Sequence, residues 1–175
     1  QEVLQNVFGY KKFRKNQREI IEALLSKNDA LAVMATGGGK SLCYQIPALI
    51  FEGVTVVVSP LISLMKDQVR QLQVLGIAAE FLNSSLSFSA YDKVLQSIIK
   101  NELKLLYVAP ETLVRDNVLQ ALQAVTVNLL AIDEAHCISE WGHDFRPEYR
   151  QISEVRQRLG NVATIALTAT ATPKV

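Results

Sequence analysis

Six short apolar runs rich in β-branched residues, set between stretches of helical spacing, constrain this chain more than any other feature. They are Ala30 to Met34, Val54 to Val58, Ala78 to Leu82, Leu103 to Val108, Val127 to Ile132 and Val162 to Leu167. Between them, Leu61, Leu64, Met65, Val69, Leu72 and Leu75 recur at three- and four-residue intervals, as do Phe88, Tyr91, Val94, Leu95, Ile98 and Ile99. Alternation of strands with helices predicts a parallel sheet covered on both faces. The continuously hydrophobic Val54-Thr55-Val56-Val57-Val58 is what a strand buried on both sides requires. With 175 residues, 49% of them hydrophobic, the chain has material for one substantial core. No repeat or low-complexity linker divides it, so residues 1–175 are expected to form one domain.

In an open parallel sheet, ligands bind outside the carboxyl ends of the strands. Polar and turn-forming clusters fall there: Ala35 to Ser41 after the first run, Ser59-Pro60 after the second, Ala109-Pro110-Glu111 after the fourth, Asp133-Glu134 after the fifth and Thr168-Ala169-Thr170 after the last. Such a row is the layout of an active-site rim. Pro60 and Pro110 are expected near helix first turns.

Two of these clusters carry recognisable chemistry. In Ala35-Thr36-Gly37-Gly38-Gly39-Lys40-Ser41, consecutive glycines let successive N–H groups point into one concavity that binds phosphate oxygens. Lys40 adds a mobile positive charge near the β and γ phosphates, and the Ser41 hydroxyl is placed to bind Mg²⁺. A helix starting there turns its positive end to the anion. Met34 stands where the pattern G-x-x-x-x-G-K-[ST] has its first glycine. Asp133 and Glu134 end an apolar strand and point opposite ways. Asp133 can hold the hydrated Mg²⁺, while Glu134 can orient and deprotonate the attacking water. An acidic pair at a strand end is otherwise a helix cap or solvated turn; the upstream glycine loop favours catalysis.

Lys and Arg number 18 and Asp and Glu 17, so composition offers no electrostatic footprint for a polyanion. The longest apolar runs are far shorter than a bilayer span, and no signal-like segment opens the chain. Cys43 and Cys137 make neither a disulfide framework nor a C-x-x-C pair, and no zinc is expected in this segment. Both are expected to be reduced and at least partly buried. Cys43 and Tyr44 read as core residues without a catalytic role, and Pro47 is expected to kink or shorten its helix.

Met34 to Ser41 together with Asp133-Glu134-Ala135-His136 resembles the nucleotide site of superfamily 2 helicases, in which a residue other than glycine at the Met34 position is usual. Cys137 to Tyr149, Cys-Ile-Ser-Glu-Trp-Gly-His-Asp-Phe-Arg-Pro-Glu-Tyr, is similar to the aromatic-rich loop of RecQ-type DNA helicases. Phe8-Gly9-Tyr10 with Phe13-Arg14 and Gln17 resembles that family's adenine-recognition element, and Ser59 to Gln68 its next motif. The resemblance runs from about Phe8 to Thr172. It implies an α/β, RecA-like P-loop domain with a mostly parallel central sheet flanked by helices on both faces. It also implies that Tyr10 and Arg14 sandwich adenine while Gln17 reads its edge, a match that a guanidinium, a phenol ring and a carboxamide can make. Taken singly, those residues are equally an ordinary surface helix preceded by a packed aromatic.

The resemblance implies that His136 links the triphosphate site to Thr168 and Thr170, and that Lys66 with nearby backbone N–H groups holds DNA phosphates. Trp141, Phe145 and Tyr149 lie four apart and could be a core stripe, but Gly142 and Pro147 interrupt it and favour a loop presenting rings near solvent, where bases could stack. Trp141, Phe145 and Arg146 are thus expected to couple DNA to Asp133 and Glu134; for His143, loop stabilisation and DNA contact stand equally.

The function implied is an ATP-dependent, 3′ to 5′ DNA helicase motor using ATP and Mg²⁺, acting on single-stranded and branched DNA in repair and recombination. Its setting would be the cytoplasm of a bacterium, at the nucleoid, or a eukaryotic nucleus. The chain reads as the first of two motor domains, with the second domain, a zinc module and a winged helix lying outside it. Alone it is expected to bind Mg·ATP weakly, hydrolyse it slowly and unwind nothing. A GTPase or small-molecule kinase shares the glycine loop, but no N-K-x-D element accompanies it. A module that binds ATP or DNA without turnover is the remaining alternative.

Overall fold

The structure is a computed structural model that describes residues 1–35, 37, 39–138 and 147–170. Six strands form one sheet: β1 (Ala30–Val33), β2 (Val54–Val58), β3 (Ala79–Leu82), β4 (Leu105–Val108), β5 (Val127–Ile132) and β6 (Thr164–Thr168). Their order is β1-β6-β5-β2-β4-β3, and every pairing among the described residues is parallel. All six expected strands are present: β2 and β5 with the expected bounds, β1, β3 and β4 shorter at one end, and β6 starting two residues later and ending one later. The helices are α1 (Glu2–Asn6), α2 (Gln17–Leu25), α3 (Leu42–Ile50), α4 (Ile62–Val74), α5 (Phe88–Ile99), α6 (Pro110–Leu113), α7 (Asp116–Gln123) and α8 (Ile152–Arg158), with 3₁₀ turns at Ala135–Ile138 and Pro147–Gln151.

Because side chains alternate along a strand, the sheet builds two cores. Val56, Val58, Leu106, Val108, Leu130 and Ile132 share one cluster with residues of α5, α7 and α8. Val57, Leu105, Tyr107, Leu129 and Ala131 share the other with α3 and α4. β2 is buried at all five positions, as its unbroken hydrophobicity requires. The helical stripe of α4 divides: Met65, Val69 and Leu72 are buried, whereas Leu61, Leu64 and Leu75 remain exposed and line a surface cavity. Pro110 occupies the first turn of α6 as expected, while Pro60 lies two residues before α4. Helix α3 runs through Pro47 and ends at Ile50.

Since all strands run the same way, their carboxyl ends lie at one edge. Along it stand, in order, the glycine loop after β1, Thr168 at the end of β6, Asp133 after β5, Ser59 after β2, Ala109 after β4 and Asn83 after β3. β1 and β5 are two strand spacings apart, about 10 Å.

Candidate nucleotide site

The glycine loop turns through left-handed backbone at Gly37 and Gly39, both with φ 79°. At Gly39 a side chain is disfavoured by that backbone, and its Cβ would also force Gln17 Nε2, held by its hydrogen bonds, to shift. Gln17 is itself buried at the start of α2; its Oε1 accepts from the Arg14 N–H (2.7 Å) and its Nε2 donates to the Gly39 carbonyl (2.9 Å). Arg14 Nη1 donates to the Gly37 carbonyl. Two carbonyls of the loop are thereby tied to the segment expected to recognise adenine. What Gln17 retains for a base is one Nε2 proton and one Oε1 lone pair. Tyr10 is half exposed on the wall of the same cavity as Arg14 and Gln17.

After the loop the chain turns helical at Lys40 and Ser41: Cys43 N–H donates to the Lys40 carbonyl and Gln45 N–H to that of Ser41. Ser41 caps α3 without using its hydroxyl. No partner for the Lys40 ammonium is found among the described residues, and its charge bears on Asp133.

Asp133 extends β5 through a hydrogen bond from its N–H to the Val58 carbonyl (2.9 Å). Its Oδ1 accepts from the Glu134 N–H (2.9 Å), and Glu134 adopts left-handed backbone, φ 52°, a sparsely populated conformation for a residue with a side chain. That bend carries the chain off the sheet and separates the two carboxylates. Burial raises the Asp133 carboxyl above its ordinary value; the Glu134 N–H opposes this, the Glu134 charge adds to it, and Lys40 and His136 oppose it.

His136 is buried with Nδ1 at 3.0 Å from Thr168 Oγ1 and 3.4 Å from Glu134 Oε2. Thr168 donates its hydroxyl proton to the Thr170 carbonyl (2.8 Å) and accepts from the Thr170 N–H (3.1 Å). With that proton committed, the imidazole Nδ1 must be the donor to Thr168. His136 thus stands between Glu134 and Thr168, and Thr168 is bonded in turn to the backbone of Thr170, not to its hydroxyl.

A cavity of about 1050 Å³ is lined by Tyr10, Arg14, Gln17, Gly37, Gly39, Lys40, Ser41, Asp133 and Glu134, and extends along α4 past Leu61, Leu64 and Leu75. Lys66 is exposed on α4 and lies outside that lining. Thr36, Gly38, Trp141, His143, Phe145 and Arg146 lie outside the described residues.

The expectation of solvent-facing rings fails for Tyr149. It is buried in the 3₁₀ turn at Pro147–Gln151 and donates its hydroxyl to the Asp133 carbonyl (3.0 Å), because β5 ends beneath that turn. Tyr107 and Gln45, unlike Tyr149, had no role suggested by the sequence. Tyr107 hides within an apolar strand, and only a partner distant in sequence shows what its hydroxyl does. Both cysteines are buried and not disulfide-bonded, and burial pushes the Cys43 thiol up to about 11.

The donors suit magnesium. Ser41 and Asp133 offer hard oxygen ligands beside the glycine loop, whereas no three His, Cys, Asp or Glu side chains cluster as a metal cage among the described residues. Magnesium is commonly held by one or two protein oxygens together with substrate phosphates.

A parallel sheet with a glycine loop after its edge strand and an acidic pair two strands away defines the class of P-loop nucleoside-triphosphate-binding domains. The sequence profile of the DEAD/DEAH box helicase family matches residues 14–175, and the chain belongs to that family. ATP-dependent DNA helicase RecQ of Haemophilus influenzae is 57% identical over 169 residues, 97% of this chain and 27% of that protein. The probable ATP-dependent DNA helicase RecS of Bacillus subtilis is 49% identical over 173 residues, 98% of this chain and 34% of that protein. The RecQ-type resemblance drawn from the motifs is borne out. The chain spans only 27% to 34% of these relatives.

Among solved structures, the helicase Lhr of Mycobacterium smegmatis bound to ssDNA and AMP-PNP superposes with TM-score 0.73 at 20% identity, over 95% of this chain and 24% of that one. The DUF1998 helicase MrfA bound to DNA gives 0.77 at 17% identity, over 99% and 26%. These likenesses show the helicase RecA-like fold. No described helix is long and apolar enough to cross a membrane.

Proposed function

We propose that the chain is the first motor domain of a RecQ-type ATP-dependent DNA helicase that translocates 3′ to 5′ on single-stranded DNA and unwinds duplex and branched DNA inside the cell. The observation that carries this reading is that Lys40 and Ser41, from one end of the rim, and Asp133 and Glu134, from two strands away, line one cavity.

The loop N–H groups and Lys40 would bind the triphosphate, and Ser41 with Asp133 would hold magnesium, which would supply charge neutralisation at the phosphates. Glu134 orients the attacking water and takes its proton. His136, donating from Nδ1 to Thr168 and lying 3.4 Å from Glu134, restrains that carboxylate and reports its state to the end of β6. Tyr10, Arg14 and Gln17 take the adenine. A second motor domain of the same protein supplies the arginine that stabilises charge on the γ phosphate, worth roughly 10³ to 10⁵ in rate in related phosphoryl transfer. Trp141, Phe145 and Arg146, with Lys66, couple DNA to hydrolysis.

The test is ATP hydrolysis with and without single-stranded DNA, measured for this chain and for a longer polypeptide that joins it to a second motor domain. Stimulation by DNA in the longer form alone supports the reading; robust unwinding by the isolated chain overturns its division into two motor domains. Trp141→Ala in the longer form abolishes stimulation, and parent-level stimulation removes the coupling role.

A further inference from the structure

We propose that the buried hydroxyl pair of Tyr44 and Tyr107, braced by Gln45, is the positioning element that sets the spacing of Ser41 and Asp133, the two oxygen donors for magnesium. The inference rests on the nucleotide reading above and adds residues to which that reading gives no part.

The two donors come from different elements. Ser41 stands at the head of α3, and Asp133 at the end of β5. Tyr44 and Gln45 lie three and four residues after Ser41, on its face of the helix one turn down. Across from them, Tyr107 of β4 is level with Val57 of β2, and Val57 is level with Ala131 of β5. Tyr107 and Ala131 therefore share a sheet face, and Asp133 continues it two residues on.

The Tyr44 and Tyr107 hydroxyls are 3.0 Å apart, and Gln45 Nε2 donates to the Tyr107 hydroxyl at 3.1 Å. The rings meet edge to face at 6.3 Å. Both tyrosines are almost completely buried, where an unpaired hydroxyl is costly, and Tyr44 and Gln45 also stand in the wall of the cavity that Ser41 and Asp133 line. The helix thus cannot slide on the sheet at this level without breaking the pair. Burial, with the nearby Asp133 charge, holds both phenols above their ordinary values, so both hydroxyls keep their protons. Magnesium demands near-ideal octahedral geometry, whereas calcium tolerates wider and irregular spacing. A link that sets donor spacing matters more for the first cation than for the second.

The experiment titrates Mg²⁺ and Ca²⁺ against binding of a fluorescent ATP analogue by the 175-residue chain and its Tyr107→Phe, Tyr44→Phe and doubly substituted forms. Each single change is expected to weaken apparent Mg²⁺ affinity about 10-fold, as loss of supporting contacts around metal ligands does. Ca²⁺ affinity and binding in EDTA change much less, and the double change adds nothing further because the pair acts as a unit. Equal loss with both cations and in EDTA, the mark of general destabilisation, overturns the proposal, as does unchanged Mg²⁺ affinity. If the parent chain shows no Mg²⁺-dependent nucleotide binding, the nucleotide reading itself falls, and this inference with it.

Discussion

Replacing Gly39 by alanine tests the most tightly built feature of the phosphate loop. Gly39 has φ 79°, a conformation that costs a residue with a Cβ about 1 to 2 kcal/mol. The new methyl would also clash with Gln17 Nε2. Gln17 can yield only by giving up its bonds to the Arg14 N–H and the Gly39 carbonyl, each worth about 1 kcal/mol. Against this, the reduced freedom of the unfolded chain returns roughly 0.4 to 1 kcal/mol. The expected net loss is about 3 kcal/mol.

Urea denaturation followed by circular dichroism measures it; by heat, the midpoint falls by roughly 2 to 4 °C per kcal/mol at this size. Gln17→Ala alone is expected to cost about 2 kcal/mol, the worth of the same two bonds. In the double variant the collision no longer exists and those bonds are lost only once. Its cost should fall short of the sum of the single costs by about 2 kcal/mol, a coupling expected of residues in contact. Additivity within about 0.5 kcal/mol would refute the claim that Gln17 is what Gly39 must avoid.

Other residues of the site give independent tests. Lys40→Met should leave the melting temperature nearly unchanged, because Lys40 has no partner among the described residues, and should weaken ATP binding about 10- to 100-fold by calorimetry, the worth of a charge-assisted bond. Thr168→Val removes the acceptor for His136 and should lower single-turnover hydrolysis in the two-domain form up to about 100-fold while nucleotide affinity holds. Asp133→Asn should stabilise the isolated chain at neutral pH by about 0.5 to 2 kcal/mol while abolishing Mg²⁺-dependent binding. Burial raises the Asp133 carboxyl in the folded state, so the folded chain holds that proton more tightly than the unfolded one. The penalty is therefore full above the folded value and relieved as pH falls through it. The advantage of Asp133→Asn should shrink on acidification and vanish near the ordinary aspartate value, about pH 3.9; an advantage constant from pH 7 to 4 contradicts burial as its source.

The six strands were legible because a parallel sheet buried on both faces needs continuous hydrophobicity, and Val54 to Val58 can satisfy little else. The rim followed from the strands, since parallel strands end at one edge. Lys40, Ser41, Asp133 and Glu134 were legible as local patterns whose chemistry is carried within a few residues. Pairings distant in sequence were not. Gln17 with Gly39, Tyr44 with Tyr107 and Tyr149 with Asp133 are separated by 22, 63 and 16 residues, and each looks locally like an ordinary helix or strand residue. Tyr149 shows the difficulty most directly. The interruptions at Gly142 and Pro147 suggested that it shares a part in stacking with Trp141 and Phe145, whereas its hydroxyl holds the end of β5.

These long-range bonds share a direction that the separate motifs do not reveal. The glycine loop is held from the adenine side by Arg14 and Gln17, the head of α3 from the sheet by Tyr44 and Tyr107, and the end of β5 by Tyr149. The first joins two parts of the expected nucleotide site, and the other two join a segment of that site to one that packs elsewhere in the fold. Lys40 and the Ser41 hydroxyl, by contrast, make no such bond among the described residues. A site meant to act on charge developing in a transition state gains from this division: the framework is fixed in advance, so little reorganisation remains when phosphate arrives, and the groups left unengaged are those that must meet it. The left-handed backbone at Glu134 fits the same logic, since strain there is held by the Asp133 carboxylate on one side and by the Tyr149 bond to the preceding carbonyl on the other.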